Sequence, residues 1–143
     1  MKAISRSSDI RLSCDPSSQS GKLRVALVAL YPAPGAKAPG GVRAVVRNLV
    51  RGLQAYPDLQ IDVIHCHADV DESFTLEQNG VTIRYLAMPK RRLVPNILRS
   101  IVHVERLLRQ LRPDVINTHA AHYTVAALRA GLPTVYTVHG IVH

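Results

Sequence analysis

Tryptophan is absent from this 143-residue chain and phenylalanine occurs once, so any core has to be aliphatic. Cysteine is scarce as well. Cys14 and Cys66 stand far apart, the first in a Ser-rich polar stretch, which argues against a structural disulfide and for a reducing, cytoplasmic setting. No apolar run approaches the ~20 residues of a membrane-spanning helix; the longest, VALVALY from Val25, is far shorter. The N-terminal stretch MKAISRSSDIRLSCDPSSQSGKLR lacks the apolar centre of a secretory signal. A flexible leader is expected over residues 1–22, ahead of one ordered domain over 23–143. Acidic residues are few: 10 against 18 Lys and Arg, a net charge of +8. That excess favours anionic partners such as phosphorylated small molecules, acidic lipid or nucleic acid.

What is present is a regular alternation. RVALVAL (24–30) is a short β-branched run of the kind that forms a buried parallel strand. It runs into YPAPGAKAPGG, whose three prolines and three glycines preclude regular structure. A helix is then expected, because Val42, Val45, Val46, Leu49 and Leu53 recur at helical spacing while Arg43, Arg47 and Arg51 line another face. IDVIHC (61–66) and VTIRYLAM (81–88) read as the second and third strands, separated by a polar, acidic surface loop. Pro95 can open a long helix and Pro113 closes it. DVINTH (114–119), a helix stopped at Gly131, and PTVYTVHG (133–140) complete the pattern. Strands alternating with helices predict an α/β, Rossmann-like parallel sheet of about five strands, in the order 3-2-1-4-5.

In such a sheet ligands bind beyond the carboxyl ends of the strands, where the strand order reverses. Three segments are expected to meet there: the loop 31–41, the turn from His119 to Tyr123, and His139 with Gly140. Gly40 and Gly41 let a ligand approach the main chain closely, and the helix behind them presents free N–H groups and a positive dipole end to an anion. Spacing alone fits a flexible turn equally well. Gly41-Val42 stands where a P-loop needs Lys-Ser/Thr, and no G-x-G-x-x-G occurs. His119 and His139, at two neighbouring strand ends, are candidate hydrogen-bonding groups for a polar ligand.

Other chemistries find less support. His119 with His122, and His65 with His67 beside Cys66, lack further ligands at zinc spacing, so no metal is expected. No nucleophile elbow or Ser-His-Asp pattern is present, and Asp69, Asp71 and Glu72 read as solvated loop acids. Lys90 to Arg112 carries seven Lys and Arg against one acid, Glu105. This segment reads as a sheet-covering helix whose basic face is a candidate for peripheral contact with acidic lipid at the inner membrane face. Nucleic acid is not expected, since aromatic residues are not interleaved with the basic ones.

The ordered set of a strand, a GGV helix start and RPDVINTHAAHYTVAALRAGLPTVYTVHGI resembles the N-terminal half of family 4 retaining glycosyltransferases, two-domain enzymes of the GT-B type. The resemblance spans about 23–143. It implies an acceptor-side domain, probed by a nucleotide sugar as donor substrate and a carbohydrate or lipid-linked acceptor, with no separate cofactor. It implies Gly40 and Gly41 near the donor diphosphate, His119 beside the transferred sugar as the catalytic candidate, and His139 lining the same cleft. Asn117 stands where many members have another histidine. The second domain, with its paired glutamates, lies outside the matching stretch, so the chain alone is expected to be inactive. The alternative from the residues themselves is a non-catalytic, flavodoxin-like anion-binding or interaction module.

Overall fold

The computed structural model describes residues 21–36, 40–88 and 95–140. Expectations for the leader, for Cys14 and for the basic stretch Lys90 to Arg92 lie outside the described residues. Nine elements follow one another: β1 (Leu23–Val28), α1 (Gly41–Leu53), β2 (Leu59–Cys66), β3 (Phe74–Gln78), β4 (Val81–Leu86), α2 (Asn96–Leu111), β5 (Val115–Thr118), α3 (Ala121–Arg129) and β6 (Thr134–Tyr136). They build one six-stranded sheet in the order β3-β4-β2-β1-β5-β6. The five strands expected from the sequence take the expected order, and all of their pairings are parallel.

The sixth strand corrects the sequence reading. Phe74–Gln78, expected as part of a polar loop, pairs antiparallel with β4 from Phe74↔Tyr85 to Gln78↔Val81. Its pattern is half-buried and exposed by turns up to Glu77, as befits an edge strand with one face on the core, and its polar edge positions, Glu77 among them, mask it in the sequence. The link to β4 is a tight turn in which Asn79 (φ 51°) and Gly80 (φ 78°) both adopt left-handed backbone, a two-residue hairpin arrangement. At the opposite edge β6 is shorter than expected. It pairs with β5 only from Ile116↔Thr134 to Thr118↔Tyr136, and Thr137 follows with one further N–H bond to Thr118 O at 2.8 Å.

Alternation along the central strands explains why both faces are covered. In β1 and the residue after it, Ala26 and Val28 point into one apolar cluster, Leu27 and Ala29 into the other. The first cluster takes Ile64, Cys66, Ile116 and the buried stripes of α2 and α3; the second takes Val46 and Val50 of α1 with Ile61, Val63 and Ile83. Helix α2 follows its apolar stripe closely: Ile101, Val104, Leu108 and Leu111 are buried as the spacing predicts. Ile97, the first member of the stripe, is 59% exposed instead. The helix stops where Arg112 turns left-handed (φ 46°) just ahead of Pro113, which cannot continue it. No helix among the described residues is long and apolar enough to cross a membrane.

Candidate functional site

The sheet reverses between β1 and β5, and the carboxyl ends of these strands carry the expected residues. The His119 N–H donates to Val28 O at 3.1 Å, which locks the first residue beyond β5 to the last residue of β1. His119 is 7% exposed. Its Nδ1 lies 2.6 Å from His139 Nε2, and the two rings stack with centroids 4.9 Å apart and planes 19° apart. The two histidines placed at this rim from sequence therefore form one pair. One proton fills the gap between them, with one imidazole donating and the other accepting.

Burial, with His139 close by, holds the His119 imidazole down to about 4, so it is neutral at physiological pH. Its Nε2 is buried and has no hydrogen-bond partner among the described residues. Asn117 in β5 and Thr137 just after β6, each two residues before its histidine, bond side chain to side chain at 3.1 Å. Thr118 reaches Thr124 of α3 at 2.7 Å. These contacts hold the rim ends of β5, β6 and α3 as a unit.

In front of His119 lies a cavity of about 360 Å³, within the range of small-molecule sites. Val42, at the start of α1, lines it together with His119, His122, Cys66 and Tyr123. Tyr123 is buried, and its hydroxyl donates to Cys66 O at 2.6 Å, joining α3 to the end of β2. Burial pushes the Cys66 thiol up to about 12, so this cysteine serves as an inert packing residue rather than a nucleophile.

The two glycines separate in the structure. Gly40 caps α1 in an extended conformation (φ −95°, ψ 171°) open to any residue. Gly41 has φ +58°, a region that costs an L-residue about 1–2 kcal/mol. A Cβ at either position would meet nothing within 4 Å. Gly41→Ala is accordingly expected to lower stability by about 1 kcal/mol and Gly40→Ala to leave it within about 0.5 kcal/mol; urea unfolding midpoints check the contrast. Helix α1 has no side-chain cap and no acidic residue in its first turn, and among the described residues no partner is shown for its leading N–H groups, the kind of helix start that suits an anion.

A third feature was not legible beforehand. Asp69, expected to be a solvated acid, ties three side chains together, one of which also holds the Tyr31 main chain. Tyr31 N–H donates to His65 Nδ1 at 3.0 Å. That bond makes Nδ1 the acceptor and leaves the ring proton on Nε2, which lies 3.0 Å from Asp69 Oδ1. Asp69 Oδ2 accepts from Arg43 at 2.7 Å, and His67 Nδ1 lies 3.0 Å from Oδ1.

Both ends of the Gly-containing loop, Tyr31 after β1 and Arg43 in the first turn of α1, are thus fastened to one His65–Asp69 pair. Tyr85 adds a bond from its hydroxyl to Pro32 O at 2.6 Å. Burial raises the Asp69 carboxyl, but its interaction with His65 and the hydrogen bonds of His67 and Arg43 outweigh it and hold the group down to about 2. The only prior sign was the spacing of His65 and Asp69, and a four-residue interval across a strand end carries no rule that would have paired them.

Among the described residues no group of three or more His, Cys, Asp or Glu could hold a metal ion. Arg99 and Arg106, on the basic helix, are half-buried and exposed respectively.

Comparison with known proteins identifies the family and the fold. Residues 39–143 match the family model for Glycosyltransferase Family 4. No curated protein matches the chain by sequence. Among solved structures, α,α-trehalose 6-phosphate synthase from Burkholderia multivorans superposes with a TM-score of 0.53 at 13% identity, over 82% of this chain and 32% of its own. A structure titled trehalose-6-phosphate from E. coli, bound with UDP-2-fluoro glucose, gives 0.50 at 16% identity, over 80% and 32%. At such identities the likeness is one of fold. The chain spans about a third of the length of either structure.

Proposed function

The chain belongs to glycosyltransferase family 4, and we propose that it forms the acceptor-side, N-terminal part of a nucleotide-sugar-dependent retaining glycosyltransferase. The observation that carries this function is the His119–His139 pair at the sheet's reversal point, in which His119 is buried and lines a cavity of ligand size. His119 stands beside the transferred sugar as a neutral imidazole, able to exchange a hydrogen bond with a reacting hydroxyl without placing a charge there. His139 orients that ring through the shared proton. Gly41 and the uncapped start of α1 face the donor diphosphate, with Gly40 giving the main chain room to approach.

The donor's nucleotide is held by a second domain in such an enzyme, and a cleft made by two domains cannot position a donor with one. The purified 143-residue chain is therefore expected to release no nucleotide from UDP-, GDP- or ADP-sugars; steady release above the uncatalysed rate would contradict the assignment. Contact of Arg99 and Arg106 with acidic membrane is a subsidiary proposal. Charge reversal at both is expected to abolish sedimentation with phosphatidylglycerol vesicles, and unchanged sedimentation removes it.

One observation favours a second function. The uncapped, acid-free first turn of α1 suits a plain anion-binding module with no carbohydrate chemistry. Thermal stabilisation separates the two. Methyl glycosides are expected to raise the melting temperature of the chain, whereas stabilisation by phosphate with no response to any glycoside would favour the anion module.

A further inference from the structure

The arginine repeat of α1 is only partly used by the fold. Arg43 pairs with Asp69, and Arg84, Arg109 and Arg129 elsewhere have carboxylate partners of their own. Among the described residues Arg47 and Arg51 form no ion pair. They stand four residues apart and so share one face of the helix, where like charges repel. Arg51, in the last turn, suits the negative end of the helix dipole. Arg47, in mid-helix, gains nothing from it, and its Nε–H is buried without a hydrogen-bond partner among the described residues. A buried donor left in this way costs free energy until an acceptor meets it.

Both side chains line a cavity of about 120 Å³ between α1 and the β3–β4 hairpin. The buried Val50, Val81 and Ile83 give it apolar walls, and a charged contact made against such walls is strengthened by the exclusion of water. At its edge the Gln54 side chain donates to Asn79 O at 3.2 Å, which fastens the helix to the hairpin turn. Tyr31 lines the cavity as well. Burial raises its phenol while the charges of Arg47 and Arg51 pull it back, so the hydroxyl keeps its proton and can donate. Two arginines and a phenol around one small space match an oxyanion. The space is well below the ~300 Å³ at which drug-sized ligands are held, which suits a single small group rather than a whole nucleotide.

We propose that this cavity is a second ligand site, which takes a phosphate group, free or carried by a small phosphorylated compound, on the Arg47 Nε–H, the Arg51 guanidinium and the Tyr31 hydroxyl. It shares no described lining residue with the cavity beside His119. An occupant therefore binds together with a glycoside rather than in its place, and failure of this site leaves the acceptor-side function untouched.

The test titrates the 143-residue chain with inorganic phosphate and with glycerol 3-phosphate, at an ionic strength held constant with sodium chloride. The readouts are the Arg47 Nε–H resonance and the Val42 amide, which reports the start of α1. Saturable movement of the Arg47 Nε–H is expected, and none when chloride replaces phosphate. Arg51→Gln, at an exposed position, is expected to weaken that response about tenfold, with the melting temperature in chloride unchanged. If Val42 moves too, its response is expected to survive Arg51→Gln.

A shift that grows without saturating, or that chloride matches, overturns the site as general screening. Phosphate that moves Val42 and leaves Arg47 in place also overturns it, because the anion then sits at the start of α1. Equal binding by the native chain and Arg51→Gln does the same. Tighter binding of glycerol 3-phosphate identifies a phosphorylated compound as the occupant, and tighter binding of phosphate identifies the free ion; either outcome supports the site.

Discussion

Between pH 6.5 and pH 4 the folded chain is expected to lose about 2–3 kcal/mol of stability through His119 alone. Burial, with His139 beside it, lowers this imidazole from its ordinary 6.5 to about 4, while in the unfolded chain it titrates normally. Through that window the unfolded state binds the proton and the folded state does not, so acid favours unfolding. The contribution is fully present above pH 6.5 and is gone once the pH falls through about 4. His65 is lowered by burial, against the opposing pull of Asp69; His122 is lowered by burial and then by His67. Both add loss of the same sign. Asp69 supplies a second, separate step. Its carboxyl is lowered from 3.8 to about 2, so its contribution is present above pH 3.8 and fades as the pH falls through 2. Urea unfolding at pH 7, 5.5 and 4 measures the first step, and His119→Asn is expected to flatten it. A profile level from pH 7 to 4 would contradict a buried neutral His119.

Removing Asp69 has the next largest effect. Asp69→Ala leaves the Nε2–H of His65, a residue only 1% exposed, without its acceptor, and releases Arg43. An orphaned buried donor costs about 1–3 kcal/mol. The Asp69 side chain is itself 41% exposed, so solvent recovers part of that cost and about 2 kcal/mol is expected. The loss is local as well as global. Amide exchange at Tyr31, whose N–H is held by His65, is expected to quicken more than exchange in the centre of β2. Asp69→Asn keeps a carbonyl for His65 and should fall between the two. Uniform quickening across the sheet would show that Asp69 acts on the whole fold rather than on the loop.

Much of the architecture was legible because it rests on periodicity. Leu27 and Val28 in β1, or Val104 and Leu108 in α2, are buried where their spacing puts them, and alternation of strand and helix determines the parallel order. Edges were read less well. Phe74–Gln78 carries Thr75 and Glu77 on its open side, and one-sided burial at an edge resembles a loop. The histidine pair was legible in position, since strand ends can be counted, but not in contact: nothing in a sequence shows that His119 and His139 come within 2.6 Å. The His65–Asp69 fastening was invisible for the same reason. It depends on the approach of β1, α1 and the end of β2, a tertiary event with no local pattern. Ile97 illustrates the converse, a residue with the right spacing for the core that is left facing a cavity.

The most direct measurement is the nitrogen-15 spectrum of the histidine side chains during addition of methyl glycosides and, separately, of phosphate. An acceptor-side glycosyltransferase domain predicts that glycosides move the ring nitrogens of His119 and His139 together, because the two share a proton, and that His119→Ala removes the His139 response. Glycosides that leave both rings unmoved, with phosphate shifting only the first turn of α1, would contradict it.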